Sequence, residues 1–378
     1  MGAADIQAVL DRAVATGAAP GLSAAVCLAD GGTHTFAAGA RGVADPAPVA
    51  DDTVFWVASC TKAIVSAAAL ELVDQGKLDL DAPIGSLLPH FAGLQILEGF
   101  DDAGQPRLRA PREAVTLRRL LSHTSGLAYD FNSAETLQYL GAKGLSLVTA
   151  GAHGFPLVFE PGEQWRYGVG IDAAGQLVEA AAGVSLADHL RATVFEPLGM
   201  ADTTFDPTPE QNGRRAGLHA KLPDGAFLPL DPIPPMPPGL RGGGGLASTP
   251  SDYLRFLRAI LAGGGGVFSA STMAHLSTPH LTGPTIGDID SAMPQMSHSL
   301  RNMPGVEKGW TLGFLQNLAD LPGARRAGSL AWAGLANCYY WADPASGVAG
   351  AIFAQVLPFA DPQLLETFDA FERAAYAA

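Results

Sequence analysis

The sequence is short of cysteine and of long apolar runs. Three of its 378 residues are cysteine, and an odd, sparse set favours a reducing compartment over a disulfide framework. No apolar run reaches the roughly 18 residues of a membrane-spanning helix. The opening MGAADIQAVLDRA has no basic stretch followed by an apolar one, as a signal peptide would. These features predict a cytoplasmic protein without a membrane partner.

Positive charge is also scarce. The chain has 23 lysines and arginines against 37 acidic residues, and its net charge is −14. This balance excludes the basic face that nucleic acids require of a partner. The nine histidines show no H-E-x-x-H or comparable spacing, so the sequence predicts no catalytic metal and no cofactor. It leaves the oligomeric state open.

The order of strands and helices indicates one sheet built from both ends of the chain. Residues 21–28 are typical of a buried strand and 33–39 of its hairpin partner. Later strands are predicted at 310–318, 328–332, 337–341 and 348–355. We therefore expect an α/β fold of the α+β type, an antiparallel sheet flanked by helices. Residues 1–76 and 305–378 would form the sheet domain, and residues 77–304 a mainly helical inserted domain.

The most informative local pattern is S-x-x-K, formed by Ser59 and Lys62 at the start of a predicted buried helix, 60–75. Residues i and i+3 share a helix face, so the amine should lie one turn above the hydroxyl. The helix start also leaves the Ser59 N–H free to bind an oxyanion. Because burial disfavours the charge of Lys62, its amine is suited to accept a proton. The alternative is a capping serine with a lysine that extends to solvent.

Further segments, in order along nearly the whole chain, strengthen the catalytic interpretation. They are 20–21 (PG), 55–62 (FWVASCTK), 120–127 (LLSHTSGL), 161–162 (PG) with Trp165 and Tyr167, 196–200 (EPLGM), 243–246 (GGGL) with Ser248, Thr249 and Asp252, 332–334 (WAG) and 340–344 (YWADP). This set resembles the superfamily of class C β-lactamases, DD-peptidases and β-lactamase-like esterases, most nearly the family VIII carboxylesterases. The resemblance implies a β-lactamase/transpeptidase-like fold and a serine nucleophile that forms an acyl-enzyme.

The resemblance also implies roles for particular residues. Tyr167 takes the place of the family's catalytic tyrosine, which would form a hydrogen-bonded triangle with Ser59 and Lys62 and act as base or proton relay. Which of Lys62 and Tyr167 holds the proton at rest stays open, because their titrations are coupled. The backbone N–H of Leu335 matches the second oxyanion donor, beside that of Ser59. Without the family, packing against Trp165 would be the better account of Tyr167.

Two family groups that bind polar substrates are missing. No Lys-Thr-Gly occurs anywhere in the chain, and Trp332, Ala333 and Gly334 stand in its place, like the W-x-G of the esterases. The lysine of Lys-Thr-Gly binds a substrate carboxylate, which tryptophan cannot do. Val169 occupies the place of the amide-binding asparagine of Y-x-N. We therefore expect Trp332, Gly334 and Val169 to contact substrate.

The sequence therefore predicts a carboxylesterase that hydrolyses short-chain, uncharged small-molecule esters through a Ser59 acyl-enzyme. Tyr129 and Phe131 are further candidates for an apolar wall of the substrate site. Slow β-lactam hydrolysis remains compatible with this assignment. The alternatives are a β-lactamase or D-Ala-D-Ala peptidase, an acyltransferase, and a catalytically silent scaffold. Cys60 and His123 adjoin the motifs, but we interpret them as a buried thiol and a structural hydrogen-bonding side chain.

Overall fold

Both ends of the chain contribute to one seven-stranded antiparallel sheet. The structure, a computed structural model, describes residues 3–230 and 236–378, with side chains from residue 5 onward. Residues 1–2 and 231–235, which fall inside the two predicted domains, lie outside the described residues. The strands are β1 (Gly21–Cys27), β2 (Thr33–Gly39), β3 (Phe55–Trp56), β4 (Ile96–Phe100), β5 (Pro106–Arg109), β6 (His219–Lys221), β7 (Phe227–Pro229), β8 (Ala247–Ser248), β9 (Lys308–Trp310), β10 (Leu315–Asn317), β11 (Leu330–Gly334), β12 (Cys338–Asp343), β13 (Val348–Phe353) and β14 (Val356–Leu357).

The large sheet has the strand order β2-β1-β13-β12-β11-β10-β9. Its neighbours all pair antiparallel, with Ala25 opposite Ala351 between β1 and β13. The predicted fold class is confirmed. The middle of the chain also supplies short strands, and two of them pair with strands from the ends, β8 with β3 and β6 with β14. The division into domains at residues 76 and 304 remains a prediction.

The helices are α1 (Ala3–Ala15), α2 (Thr61–Asp74), α3 (Leu117–Leu121), α4 (Ala134–Ala142), α5 (Leu147–Ala150), α6 (Gly170–Ala182), α7 (Leu186–Leu190), α8 (Glu196–Leu198), α9 (Pro209–Gly213), α10 (Pro250–Leu261), α11 (Ala270–Ser277) and α12 (Pro362–Ala377). None of the helices in the described ranges is long and apolar enough to cross a membrane.

Helices cover both faces of the sheet, and this explains why its central strands are apolar without alternation. Residues of α1 and α12 form one core with one face, and residues of α2 and α10 form a second core with the other. Every residue of β1, β12 and β13 is buried. A strand that is buried on both faces needs no polar residue at every second position. The glycine at 350 makes room for a large neighbour, since a Cβ there would lie 2.4 Å from the Trp341 ring.

A turn and a strand of the large sheet meet closely and determine where a site can form. A single 3₁₀ turn, Ala58–Cys60, leads into α2, which is buried on nearly every side. Strand β11 passes this turn so closely that a Cβ on Gly334 would lie 2.2 Å from the carbonyl oxygen of Val57. Strand β10 pairs with β11 only through Leu330 and Ala331. Residues 332–334 therefore leave one strand edge free, directly beside the turn.

Candidate active site

Ser59 lies in the middle of the 3₁₀ turn, half-buried, in the wall of a cavity. The residue before it, Ala58, has φ +44°, in a region that side chains other than glycine rarely adopt. Such a conformation costs about 1–3 kcal/mol and persists only where the surroundings impose it. Here the turn is fixed by hydrogen bonds from the Val57 N–H to the carbonyl of Leu246 and from the Trp56 indole to the carbonyl of Gly244.

Lys62 lies one turn along, and its amine contacts three oxygen atoms. Its side chain is only 1% exposed. The Nζ atom is 3.0 Å from Ser59 Oγ, 3.0 Å from the hydroxyl of Tyr129 and 2.5 Å from the carbonyl oxygen of Gly243. The predicted contact between the serine hydroxyl and the lysine amine is therefore present, and the amine is held by two further groups.

A buried carboxylate holds both of those further groups. Asp172 Oδ2 accepts a hydrogen bond from the Tyr129 hydroxyl at 3.3 Å, and its Oδ1 accepts one from the Gly243 N–H at 2.7 Å. Burial raises the pKa of Asp172 to about 6, and Lys62 and these two donors oppose that rise. Only glycine fits at position 243, because a Cβ would lie 2.2 Å from Asp172 Oδ2.

The hydrogen-bond pattern fixes the direction of the amine. Burial raises the pKa of Tyr129 well above its usual range, so its phenol stays protonated and can donate to Asp172. The phenol must then accept from Lys62, as the Gly243 carbonyl must, since a carbonyl has no hydrogen to give. Two N–H bonds of the Lys62 amine therefore point to Tyr129 and Gly243, and the remaining position on the nitrogen points to Ser59. In the neutral amine that position holds a lone pair able to accept the serine proton.

Tyr167 stands close to this network, but the predicted hydrogen-bonded triangle is not formed. Its phenol makes no hydrogen bond to Ser59 or Lys62 within the described residues, and the amine lies 4.9 Å from the centre of its ring. The physical reason is that Tyr129 and the carbonyl of Gly243 already occupy the other two directions of the amine. The Tyr167 ring packs 4.9 Å, centre to centre, from that of Trp332.

The cavity beside Ser59 has a volume of about 170 Å³ and mostly apolar walls. The cavity extends around the free edge of β11 to both faces of the sheet. Trp332 lines it on the face covered by α2, and Ala333 lines it on the face covered by α12. Tyr167 and Phe131 also line it. A volume of this size holds a small apolar group, since a cavity of about 150 Å³ binds benzene.

Three of the predicted substrate contacts lie elsewhere. Tyr129 is not in the cavity wall, because its hydroxyl faces Lys62 and Asp172. Val169 is fully buried at the start of α6 and does not reach the cavity. Gly334 is turned against the carbonyl of Val57 and is not among the lining residues either.

The two predicted oxyanion donors are both at the cavity. Leu335 and Ser59 line it together. In the described parts of the chain, neither backbone N–H donates a hydrogen bond to another residue. Both are therefore free to bind an oxygen atom of a substrate.

The remaining candidates near Ser59 are inert. Burial raises the pKa of the Cys60 thiol well above its usual range, which keeps it protonated and a poor nucleophile. Burial lowers the pKa of His123 well below its usual range, and its Nε2 has no hydrogen-bond partner. Its ring packs against Tyr167 instead, 4.9 Å between ring centres. Among the described residues, no group of three or more potential ligands could hold a metal ion.

Sequence reasoning missed Asp172 and Gly243 and misjudged Tyr129. One signal was available: Asp172 is the one carboxylate in the first turn of α6, among apolar neighbours, five positions after Tyr167. A carboxylate is almost never fully buried unless it has partners. The partners themselves come from loops distant in sequence, and no spacing rule connects them.

Comparisons with known proteins agree with this geometry. A family model described as "Beta-lactamase" matches residues 6–374. Monacolin J acid methylbutanoyltransferase of Aspergillus terreus is 35% identical over 346 residues, which are 87% of this chain and 83% of the relative. Esterase EstB of Burkholderia gladioli is 32% identical over 357 residues, 82% of this chain and 80% of the relative.

A solved structure is also similar over nearly its whole length. It is the LovD6 mutant of simvastatin synthase (LovD) from Aspergillus terreus, with a TM-score of 0.85 and 32% identity, covering 98% of this chain and 94% of that chain. Acyl transfer and ester hydrolysis are thus both represented among the proteins that this chain resembles.

Proposed function

The chain belongs to the beta-lactamase family, as a serine hydrolase or acyltransferase of that fold, and we propose that it cleaves short, uncharged carboxylic esters through an acyl-enzyme on Ser59. One observation carries this proposal: Ser59 Oγ lies 3.0 Å from an amine whose other two contacts are fixed by Tyr129 and Gly243. Such an amine is oriented to take the serine proton as the hydroxyl attacks a carbonyl.

In the first half of the reaction, Ser59 Oγ bonds to the ester carbonyl carbon while its proton passes to Lys62. The N–H groups of Ser59 and Leu335 stabilise the oxyanion that forms. The bond between the carbonyl carbon and the alcohol oxygen then breaks, and the alcohol leaves with a proton from Tyr167. In the second half, water gives a proton to the Tyr167 phenolate as it attacks the acyl-enzyme. The acid is released as Lys62 returns the serine proton to Ser59 Oγ.

The apolar cavity is the proposed place of the acyl group. Its volume of about 170 Å³ suits a short or branched chain. Two arginines line it: Arg325 is already paired with Glu372 at 2.6 Å and 2.8 Å, whereas Arg301 is exposed and forms no ion pair with any described residue. Trp332 and Phe131 add apolar contact area, worth about 25 cal/mol per Å² buried.

Transfer of the acyl group to an alcohol instead of water is a second candidate. The 35% identity to a methylbutanoyltransferase favours it. The two reactions share the acyl-enzyme and differ only in the group that attacks it. The ratio of butyrate ester to butyric acid formed in the presence of an added alcohol separates them.

The proposal is tested by the pre-steady-state release of p-nitrophenol from p-nitrophenyl butyrate. Wild type should release about one equivalent of p-nitrophenol per enzyme in a fast phase, and Ser59→Ala should release none. Cys60→Ala is the matched control, because it alters the neighbouring side chain and should keep the burst. An undiminished burst in folded Ser59→Ala would exclude Ser59 as the nucleophile.

We also propose that the protein works in the cytoplasm on small molecules, without nucleic-acid or membrane partners. Its three cysteines are all free and buried, which suits a reducing compartment. Fractionation of cells that express the natural gene would test the location.

A further inference from the structure

A second cleft opens beside the apolar cavity and shares two of its lining residues, Tyr167 and Ile289. Its volume is about 700 Å³, several times that of the cavity. Its walls come from three segments of the middle of the chain, 132–135, 163–167 and 283–292. A group bound there would meet the acyl group at Tyr167.

The cleft is acidic. Four carboxylates line it, Glu135, Glu163, Asp288 and Asp290, against one cation, Arg166. Glu163 is paired with an arginine outside the cleft. Asp288 and Asp290 are exposed and form no ion pair with any residue that the structure describes. Several carboxylates in one concave surface create a negative potential that attracts cations and repels anions.

Two side chains of the cleft wall each contain a buried polar atom that has no hydrogen-bond partner among the residues that the structure describes. Asn132 is 5% exposed, and while its Nδ2 donates to the carbonyl of Tyr167, its Oδ1 accepts no hydrogen bond. The indole Nε1 of Trp165, whose side chain is 8% exposed, donates none. A buried polar group without a partner costs about 1–3 kcal/mol. Both atoms are closed off from the cleft in this structure, so the wall there is polar but offers them to a ligand only if a side chain turns.

We propose that this cleft binds the alcohol part of the ester, and that the alcohol is polar and either uncharged or cationic. The inference rests on the proposed function, since it assigns the second half of the same substrate. The Aspergillus terreus relative is named for an acid, monacolin J acid. In this chain, four carboxylates would oppose an acid in the cleft.

The position of Tyr167 explains how an alcohol bound in the cleft could take part in the reaction. Tyr167 lines both the small cavity and the large cleft. If the acyl group lies in one and the alcohol in the other, the bond that breaks between them lies beside this phenol. Tyr167 can then give its proton to the departing alcohol oxygen, or take one from an attacking alcohol.

The experiment compares three butyrate esters that differ in the charge of the alcohol: those of choline, of glycerol and of 3-hydroxypropionate. At low salt, kcat/KM should be about tenfold higher for the choline ester than for the 3-hydroxypropionate ester, and the glycerol ester should also exceed the latter. The ratio should shrink at about 0.15 M salt, where the screening length is ~8 Å. An equal or reversed order would overturn the assignment.

Variants that reverse the charge of the cleft provide a second test of the proposal. Asp288→Lys combined with Asp290→Lys should lower kcat/KM for the choline ester and raise it for the 3-hydroxypropionate ester. The matched control is Asp74→Lys with Asp102→Lys, which changes the net charge equally at exposed positions outside the cleft. Equal shifts in both double variants would show an effect of net charge alone and overturn the proposal.

Hydrolysis of p-nitrophenyl butyrate separates this inference from the function on which it rests. The control double variant, Asp74→Lys with Asp102→Lys, should cleave that neutral ester at the wild-type rate. If wild type does not cleave it, the proposed function has failed. If wild type cleaves it but shows no charge order among the three esters, only the assignment of the cleft has failed.

Discussion

The orientation of Lys62 comes from two oxygen atoms that S-x-x-K spacing does not include. The Tyr129 hydroxyl and the Gly243 carbonyl contact the amine, and Asp172 holds both of them from behind. A lysine with four rotatable bonds needs such contacts if its lone pair is to face Ser59. In our proposal Lys62 is the catalytic base, whereas Tyr129 and Asp172 are positioning residues.

The role of Tyr129 can be measured with Tyr129→Phe. This variant removes the acceptor that holds one N–H of Lys62 and leaves Asp172 Oδ2 without its donor. We expect kcat on p-nitrophenyl butyrate to fall about 100-fold with little change in KM, because the phenol does not line the cavity. Tyr139→Phe, in half-buried α4, is the control and should leave kcat unchanged. A kcat within twofold of wild type in folded Tyr129→Phe would refute the positioning role.

Tyr167→Phe tests a different step. If Tyr167 protonates the departing alcohol, its loss should matter most when the leaving group is basic. The rate of acylation should fall about 100-fold or more for butyl butyrate but much less for p-nitrophenyl butyrate, whose phenolate leaves without a proton. Comparison of the two substrates on one variant needs no assumption about its stability. Equal losses on both esters would assign Tyr167 to packing or to activation of Ser59.

Asp172→Asn should change how stability depends on pH. Burial raises the pKa of Asp172 from its ordinary 3.8 to about 6. Between these values the folded protein holds a proton that the unfolded chain has released, so the free energy of unfolding of wild type falls as pH rises. A neutral amide has no such dependence.

The variant should therefore gain about 3 kcal/mol relative to wild type between about pH 4 and pH 6, at ~1.4 kcal/mol per pKa unit. Urea unfolding of both proteins at these pH values measures the difference. A difference that stays constant with pH would contradict the account of Asp172 as a carboxyl with a raised pKa.

At the scale of elements, the site depends on the close approach of β11 to the 3₁₀ turn. The free edge of β11 and the Ser59 turn form opposite sides of the same cavity. Gly334 permits the approach, because any Cβ there would overlap the carbonyl oxygen of Val57. The geometry of the two proposed oxyanion donors therefore depends on this glycine.

Gly334→Ala should separate the two elements. We expect the free energy of unfolding to drop by about 1–3 kcal/mol, as for an overpacked core. We also expect kcat to fall more steeply than the loss of folded protein explains, because the N–H of Leu335 moves away from Ser59. Gly93→Ala is the control, since nothing lies within 4 Å of its Cβ position. A fully stable and active Gly334→Ala would contradict the close approach of β11 to the turn.

The elements also show which parts of the site could be predicted from the sequence. The start of α2 was predictable because an alanine-rich apolar helix follows Ser59, so the contact to Lys62 follows from helix geometry. The place of Tyr129 was not, because it lies in a loop between α3 and α4 whose path depends on tertiary packing. Tyr129 and Tyr167 lie on different loops, and their sequence neighbours do not show which one contacts the amine.

At the scale of the whole molecule, the fold class was predicted correctly because most strands have a clear composition. The strand predicted at 310–318 was wrong: the chain turns at 311–314, and two short strands, β9 and β10, pair with each other there. Strands at both ends are short, apolar or aromatic, and separated by turn residues, so an antiparallel sheet of both ends follows. The register and the free edge of β11 could not be predicted, since β10 is only three residues long. The second cleft could not be predicted from the sequence either, because its three wall segments are separated by many residues and have no common pattern.

The strands around the turn also explain why the residue before the proposed nucleophile keeps a strained backbone angle. Ala58 keeps its unfavourable backbone angle because β3, β8 and β11 surround the turn on fixed elements.

The most direct test of the central claim is to identify the acylated residue. Wild-type protein is mixed with p-nitrophenyl butyrate, quenched in acid during the burst, digested and analysed by mass spectrometry. The account predicts one added butyryl group, on the hydroxyl of Ser59, in the wild type and none at that position in Ser59→Ala. A butyryl group found on Cys60 or on Lys62, or a burst without any covalent adduct, would contradict it.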